Sequence, residues 1–301
     1  MADHALRARE REPDPEGGLD LWLARARAGE DYAQAVHRAL GLADLAYLET
    51  RRFAAGGQAH EVARFRHERT GLALCLIPGG TLETGAPLDR PGRRPWELPP
   101  TRTDVDPFLP AETPFTQAAW RAVLRDYPDC FFSGARRPVE SVNWETAREV
   151  CALAGLRLPG ELEWEHACRG GTRSDFALGA AITTDDANFN GKFPCPGFPH
   201  EPCREATTDV ASFALNAFGL YDVHGNVWEW CEDEWRAAEP EEPLPGSFGL
   251  ATDLPRARVI RGGSWLHPAA ECRSRYRKGI DPRARGEFLG FRPARSLEPA
   301  P

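Results

Sequence analysis

The chain predicts an α+β fold of short strands, a few short helices and long loops. Apolar residues gather in brief runs bounded by Gly and Pro, at 62–66, 72–77, 258–265 and 289–292, lengths that suit strands. Three- and four-residue spacing recurs over only a few short segments. The 28 Gly and 27 Pro among 301 residues demand much turn and loop. A chain of this size can bury a substantial core.

Residues 1–18 are charged and rich in Pro and Gly, a composition that predicts a disordered tail. From Leu19 to about Arg52, Leu21, Leu23, Ala24, Tyr32, Val36, Leu40, Leu45 and Leu48 recur at helical steps. The spacing predicts a helical extension over 19–58, broken at Gly29 and Gly41. A hairpin is expected next: a strand at Val62–Arg66, a turn at Arg69-Thr70-Gly71, and a strand at Leu72–Ile77. Pro78-Gly79-Gly80 turns the chain. Pro87 to Pro100 reads as a Pro/Arg-rich loop, and Thr101–Leu109 as a strand. Thr113 and Pro114 fit the cap and first turn of a helix carrying Ala118, Trp120 and Leu124. A second helix, capped by Ser141 or Asn143, presents Ala147, Val150, Cys151 and Leu153. A third starts at Pro159-Gly160 and places Leu162 and His166, and Trp164 and Cys168, four apart. His166 there is expected to be a hydrogen-bonded structural residue.

Gly170 to Ser212 then runs for about 40 residues with little periodicity, and such loops tend to be pinned or functional. After a Pro/Glu-rich loop at 237–255, RVIRGGSW (258–265) reads as a buried strand entering a Gly-Gly turn. CRSRYR (272–277) and LGFR (289–292) read as the last strands.

The stretch around which the rest is organised is GLYDVHGNVWEWCEDEW, Gly219 to Trp235. Its tryptophans mark a core that other segments close over. Asp222, Gly225, Asn226 and Glu229 are oxygen donors or tight-turn residues a few positions apart, a composition that suits a hard cation such as calcium. A capped turn beside buried tryptophans accounts for the same residues.

Bulk properties exclude several classes. A net charge of −8 argues against a general nucleic-acid binder. No apolar run reaches the ~20 residues of a membrane span. The first residues hold no apolar secretory core, which gives a cytoplasmic expectation. The eight cysteines form no C-x-x-C pair, and buried thiols are expected, with a Cys195–Cys203 link as an alternative.

Six pieces in order carry a family resemblance: IPGGT at 77–81, PVESVNWETAREVC at 138–151, RLPGELEWEHACRGG at 157–171, NAFGLYDVHGNVWEWCED at 216–233, RVIRGGSW at 258–265 and LGFR at 289–292. The chain resembles the formylglycine-generating enzyme, or sulfatase-modifying factor, family over about residues 61–296. The resemblance implies a C-type-lectin-like α+β fold. It implies calcium held by Asp222 and Glu229 with carbonyls of Gly225 and Val227, and a second site begun by Asn188 and Phe189 that lacks a clear acidic partner in 190–204.

Family members that oxidise a substrate cysteine to formylglycine use two cysteines five residues apart after the Gly-Gly-Ser turn, and two thiolates suit a cuprous ion. Counted from Ser264, the second position is Cys272, but the first is His267. The reading favoured is a calcium-braced, non-standard member that recognises a peptide, protein or small ligand. Its groove would be lined by Trp228, Ser264, Trp265, His267, Cys272, Arg273, Arg275, Tyr276 and Arg292. The alternative is a copper- and oxygen-dependent oxidase acting on a C-x-P-x-R peptide, with Cys272 and His267 on copper. Two further relatives fit less well. A hercynine-oxidising sulfoxide synthase needs an iron-binding helical bundle, which His4, His37, His60 and His67 do not comfortably supply. A retroelement variable protein carries Asn-rich variable positions, whereas 265–295 contains no Asn.

Overall fold

The computed structural model describes residues 44–85, 97, 100–126, 129–236 and 256–297. The expected tail, most of the helical extension, and most of the Pro/Arg- and Pro/Glu-rich loops lie outside them. Three helices and eleven short strands carry the fold among the described residues.

Strands β1 (Leu45–Ala55), β2 (Gln58–His67) and β3 (Ala73–Cys75) form an antiparallel sheet in that order. The hairpin of β2 and β3 is where it was expected. The helical reading of 45–58 is corrected: this segment is β1, the turn at Gly56-Gly57 and the start of β2. The β1 register slips between Tyr47 and Glu49, leaving Leu48 as the extra residue of a bulge. Leu45 and Leu48 stand three apart in the sequence, which imitates a helix, but only Leu45 faces the core.

Strand β4 (Gly80–Thr84) pairs antiparallel with β5 (Thr101–Val105). Short β6 (Phe108–Pro110) precedes helix α1 (Gln117–Leu124). The cap of α1 is Thr116, three residues later than expected, with its side chain accepting from Ala119 N. Thr113 instead donates to Pro114 O. Helix α2 (Trp144–Ala154) is capped by Asn143 and stops at Gly155, whose φ of 77° only Gly adopts at little cost. Helix α3 (Glu161–Arg169) begins at Gly160, whose N–H donates to Glu163 Oε2 at 2.7 Å. His166 bonds Pro78 O through Nε2 at 2.8 Å, as a structural histidine should.

The central sheet has the order β10-β7-β8-β9, formed by β7 (Trp228–Glu234), β8 (Arg258–Arg261), β9 (Arg277–Ile280) and β10 (Leu289–Gly290). Trp228 to Cys231 are all buried, so β7 is covered on both faces and shows no alternation. The buried indoles need partners for their N–H groups. Trp230 donates to Val142 O, Trp144 to Cys231 O and Trp164 to Glu229 Oε2. Strand β11 (Ala294–Ser296) returns to pair with β6. Of the segment 272–277 expected as a strand, only Arg277 lies in one, at the start of β9, and Cys272 ends a 3₁₀ turn.

One side of α3 carries a buried ionic network. Arg261 reaches Glu165 at 2.5 Å and Glu161 at 3.5 Å, Arg277 is bidentate to Glu161, and Arg169 binds Glu165 at 2.7 Å. Burial works against the Glu165 carboxylate, but Arg261 and Arg169 overcome it and hold its pKa below the usual range. All eight cysteines are free thiols, so Cys195 and Cys203 are not linked. Among the described residues no helix is long and apolar enough to cross a membrane.

Candidate functional site

Between Leu220 and β7 the chain makes a tight turn in which Asp222, Gly225 and Asn226 all have positive φ, of 56°, 96° and 62°. Three contacts sew this turn into its surroundings. Gly225 N donates to Gly262 O, Asn226 N to Asn188 O, and Trp265 N to Asn226 O. A Cβ on Gly225 would lie 2.3 Å from the Asn188 carbonyl oxygen, so two backbones touch here and a side chain does not fit. Asn188 also donates from Nδ2 to Ala206 O and Asn226 Oδ1.

The Gly262-Gly263 turn lies against this structure, and after it come Ser264, Trp265 and His267. Ser264 is fully buried and half-buried His267 is tied to it: Ser264 Oγ lies 2.7 Å from His267 Nδ1. Trp228 Nε1 donates to the same nitrogen at 3.2 Å. An indole N–H is a donor only, so Nδ1 must offer its lone pair, and the ring proton belongs on Nε2. The opposite tautomer would set two N–H groups head-on and orphan the buried indole, at about 1–3 kcal/mol. Burial, with Lys278 nearby, pushes the His267 pKa down to about 4, so the ring is neutral at neutral pH.

Cys272 is fully buried with Phe176, Phe189, Cys195 and Ala269 in an apolar cluster. A Cβ on Gly263 would fall 2.4 Å from Cys272 Sγ, so the sulfur packs directly on that glycine. Its thiol donates to Pro268 O at 3.7 Å. Burial, with Glu271 adding to it, pushes the thiol well above its ordinary pKa.

The four remaining polar residues expected to line a groove do not. Arg273, Arg275 and Arg292 are buried and paired, to Glu97 at 2.5 Å, Asp175 at 3.3 Å and Glu229 at 2.8 Å. Tyr276 is buried against Trp228, ring centroids 6.0 Å apart. A buried guanidinium already matched to a carboxylate has no free face for a ligand. Trp265 is nearly buried and forms the inner wall of an apolar surface instead. Phe132 meets it edge-on at 5.5 Å, and Phe131 meets Phe132 at 5.0 Å. Phe288 packs edge-on against His267 at 5.2 Å. Phe131, Phe132 and Phe288 escaped the sequence reading because they sit in segments without periodicity. No local pattern announces them.

A sulfatase-modifying factor enzyme 1-like domain matches residues 59–297. The chain belongs to the sulfatase-modifying factor family. Two relatives illustrate the range of that family. One is the "Inactive C-alpha-formylglycine-generating enzyme 2" of Bos taurus, 37% identical over 163 residues, 52% of this chain and 49% of that protein. The other is the formylglycine-generating enzyme of Mus musculus, 34% identical over 166 residues, 52% of this chain and 44% of that protein. The match thus spans about half the length of these relatives. Among solved structures, PvdO of Pseudomonas aeruginosa is similar at TM-score 0.62 and 25% identity, over 77% of this chain and 97% of that one. The fold is the C-type-lectin-like α+β fold of this family.

Whether this chain's residues suit the ions of the family can be tested on its own atoms. For calcium, the buried Asp222 Oδ1 and Asn188 Oδ1 have no hydrogen-bond partner, which is what a hard cation would satisfy. Burial pushes Asp222 up to about 6, and only the Ala211 N–H on Oδ2 and the more distant Arg292 oppose it. Glu229 fits less freely. Its oxygens accept from Arg292 Nε and Nη2 and from Trp164 Nε1, three of the roughly four bonds a carboxylate can accept. Val227 and Phe189 are fully buried and can offer only backbone oxygens. For copper, the residues do not fit. His267 Nδ1 is already engaged by two donors, Nε2 carries the proton, and Cys272 is held as a thiol.

Proposed function

We propose that this domain is a recognition member of the sulfatase-modifying factor family, binding a peptide or small ligand at the surface around Trp265 and His267. The observation that carries the reading is the engaged Nδ1 of His267, at the place where the resemblance calls for the first of two copper-binding thiols. A soft cuprous ion needs free sulfur or imidazole lone pairs, and His267 has none to give.

Anaerobic titration of the reduced protein with cuprous ion tests this, followed by incubation of a C-x-P-x-R peptide with oxygen. The expected result is no tight one-to-one site sensitive to Cys272→Ala or His267→Ala, and no conversion of the peptide cysteine. Conversion to formylglycine, lost in Cys272→Ala, would sink the recognition reading.

The domain is further proposed to be braced by calcium, held by Asp222 with backbone oxygens of the 225–227 turn. Bound there, the ion would neutralise a buried carboxylate. Protons compete for Asp222 below about pH 6, because its pKa in the folded chain is raised. At pH 7, chelation is expected to lower Tm by several degrees, since a ligand of the folded state alone stabilises by mass action. At pH 5 the same chelation should have little effect. An equal response at both pH values, or in Asp222→Ala, would place calcium elsewhere.

A further inference from the structure

We infer that His267 is a fixed hydrogen-bond donor: Trp228 and Ser264 hold its Nδ1 as an acceptor, and Nε2–H is offered to an oxygen atom of the ligand. The inference rests on the recognition reading and names what that surface recognises. Three facts carry it. Trp228 Nε1 and Ser264 Oγ lie 3.2 and 2.7 Å from Nδ1, so both supporting groups face the same nitrogen. Trp228 is fully buried on β7 and Ser264 on the Gly-Gly turn, so neither can swing away. Among the described residues Nε2 has no hydrogen-bond partner, and the imidazole is only half-buried.

The chemistry of the surroundings narrows the ligand. Leu266 beside His267 is 40% exposed and Phe131 is 74% exposed, which leaves an apolar rim open to solvent within ring contact of Phe132 and Trp265. A donor N–H set among apolar groups fits an oxygen acceptor carried on an apolar scaffold, either a peptide carbonyl next to an apolar side chain or a carboxylate. The substitution of His for a thiol thus exchanges a potential metal ligand for a hydrogen-bonding group.

The tautomer can be read without knowing the ligand. Two-bond ¹H–¹⁵N correlation spectra of histidine-labelled full-length protein separate bare from protonated ring nitrogens. The resonances missing in His267→Gln assign the residue. A bare Nδ1 and a protonated Nε2, with the other tautomer at least about tenfold rarer, are expected. In Trp228→Phe with Ser264→Ala that preference should collapse toward a mixture. N-methylacetamide and acetate are then titrated separately. A shift of the Nε2 proton with the amide alone identifies a peptide carbonyl, and a shift with acetate alone a carboxylate. A proton found on Nδ1 in the wild type overturns the inference, and so does a bare Nδ1 whose Nε2 proton answers to neither probe. Neither result touches the copper and peptide experiments, so the recognition reading stands or falls separately.

Discussion

Replacing Arg292 by leucine is expected to destabilise the domain by about 3–5 kcal/mol, because it leaves the fully buried Glu229 carboxylate without its counter-charge. The loss is larger than one ion pair suggests. Arg292 also donates to the carbonyls of Ala111 and Tyr221, so it ties β7 to the chain before α1 and to the turn that contains Asp222. At 2–4 °C per kcal/mol, the range for domains of 150–250 residues, Tm should fall by roughly 10 °C. Denaturant unfolding of the single variant and of Arg292→Leu with Glu229→Leu separates the causes. The double variant should be more stable than the single one, since no isolated charge remains buried, although Trp164 loses its acceptor. A single variant within about 1 kcal/mol of wild type would mean that Glu229 has another partner, and a cation would be the first to look for.

Gly225→Ala should have an effect of similar size by a different route. The backbone φ of 96° costs a side-chain-bearing residue about 1–3 kcal/mol. The new methyl would also meet the Asn188 carbonyl oxygen at 2.3 Å, and forcing the two backbones apart costs about 1–3 kcal/mol more. Gly71→Ala is the control: its φ is 72°, but nothing lies within 4 Å of an added Cβ. The difference between their denaturation midpoints measures the backbone contact alone. Gly225→Ala should also weaken the stabilisation by calcium, because the shift distorts the turn that carries Asp222. Equal destabilisation of the two variants would show that the 225–188 contact is soft.

Both predictions depend on pairings that no local pattern reveals, and this marks where sequence reading stops. The helices α2 and α3 were legible because an Asn cap, terminal glycines and four-residue spacing are all local signals. Strand β1 was not, since Leu45 and Leu48 stand at helical spacing although the bulge leaves Leu48 exposed. Strand β7 was not, since burial on both faces erases alternation. For the site, the identity of the pivotal residues could be read from the Gly-Gly-Ser turn and the spacing to His267 and Cys272. Their state could not. The sequence does not distinguish an arginine poised for a ligand from one buried on a carboxylate, as Arg273, Arg275 and Arg292 are. Nor does it tell which nitrogen of His267 is capped, because the capping indole lies 39 positions away.

Strand β1 lies wholly before residue 59, where the match to the family domain begins, yet it pairs with β2 from Leu45 to Ala55. Asp44, at its start, reaches Arg295 on β11 at 3.5 Å. The first and last described strands therefore meet. Such a domain can be inserted into a surface loop of a host protein, or circularly permuted by a short linker, without stretching either chain. The unit to move is one that keeps β1, since a cut at residue 59 would strip β2 of its neighbour and leave a bare strand edge open to aggregation.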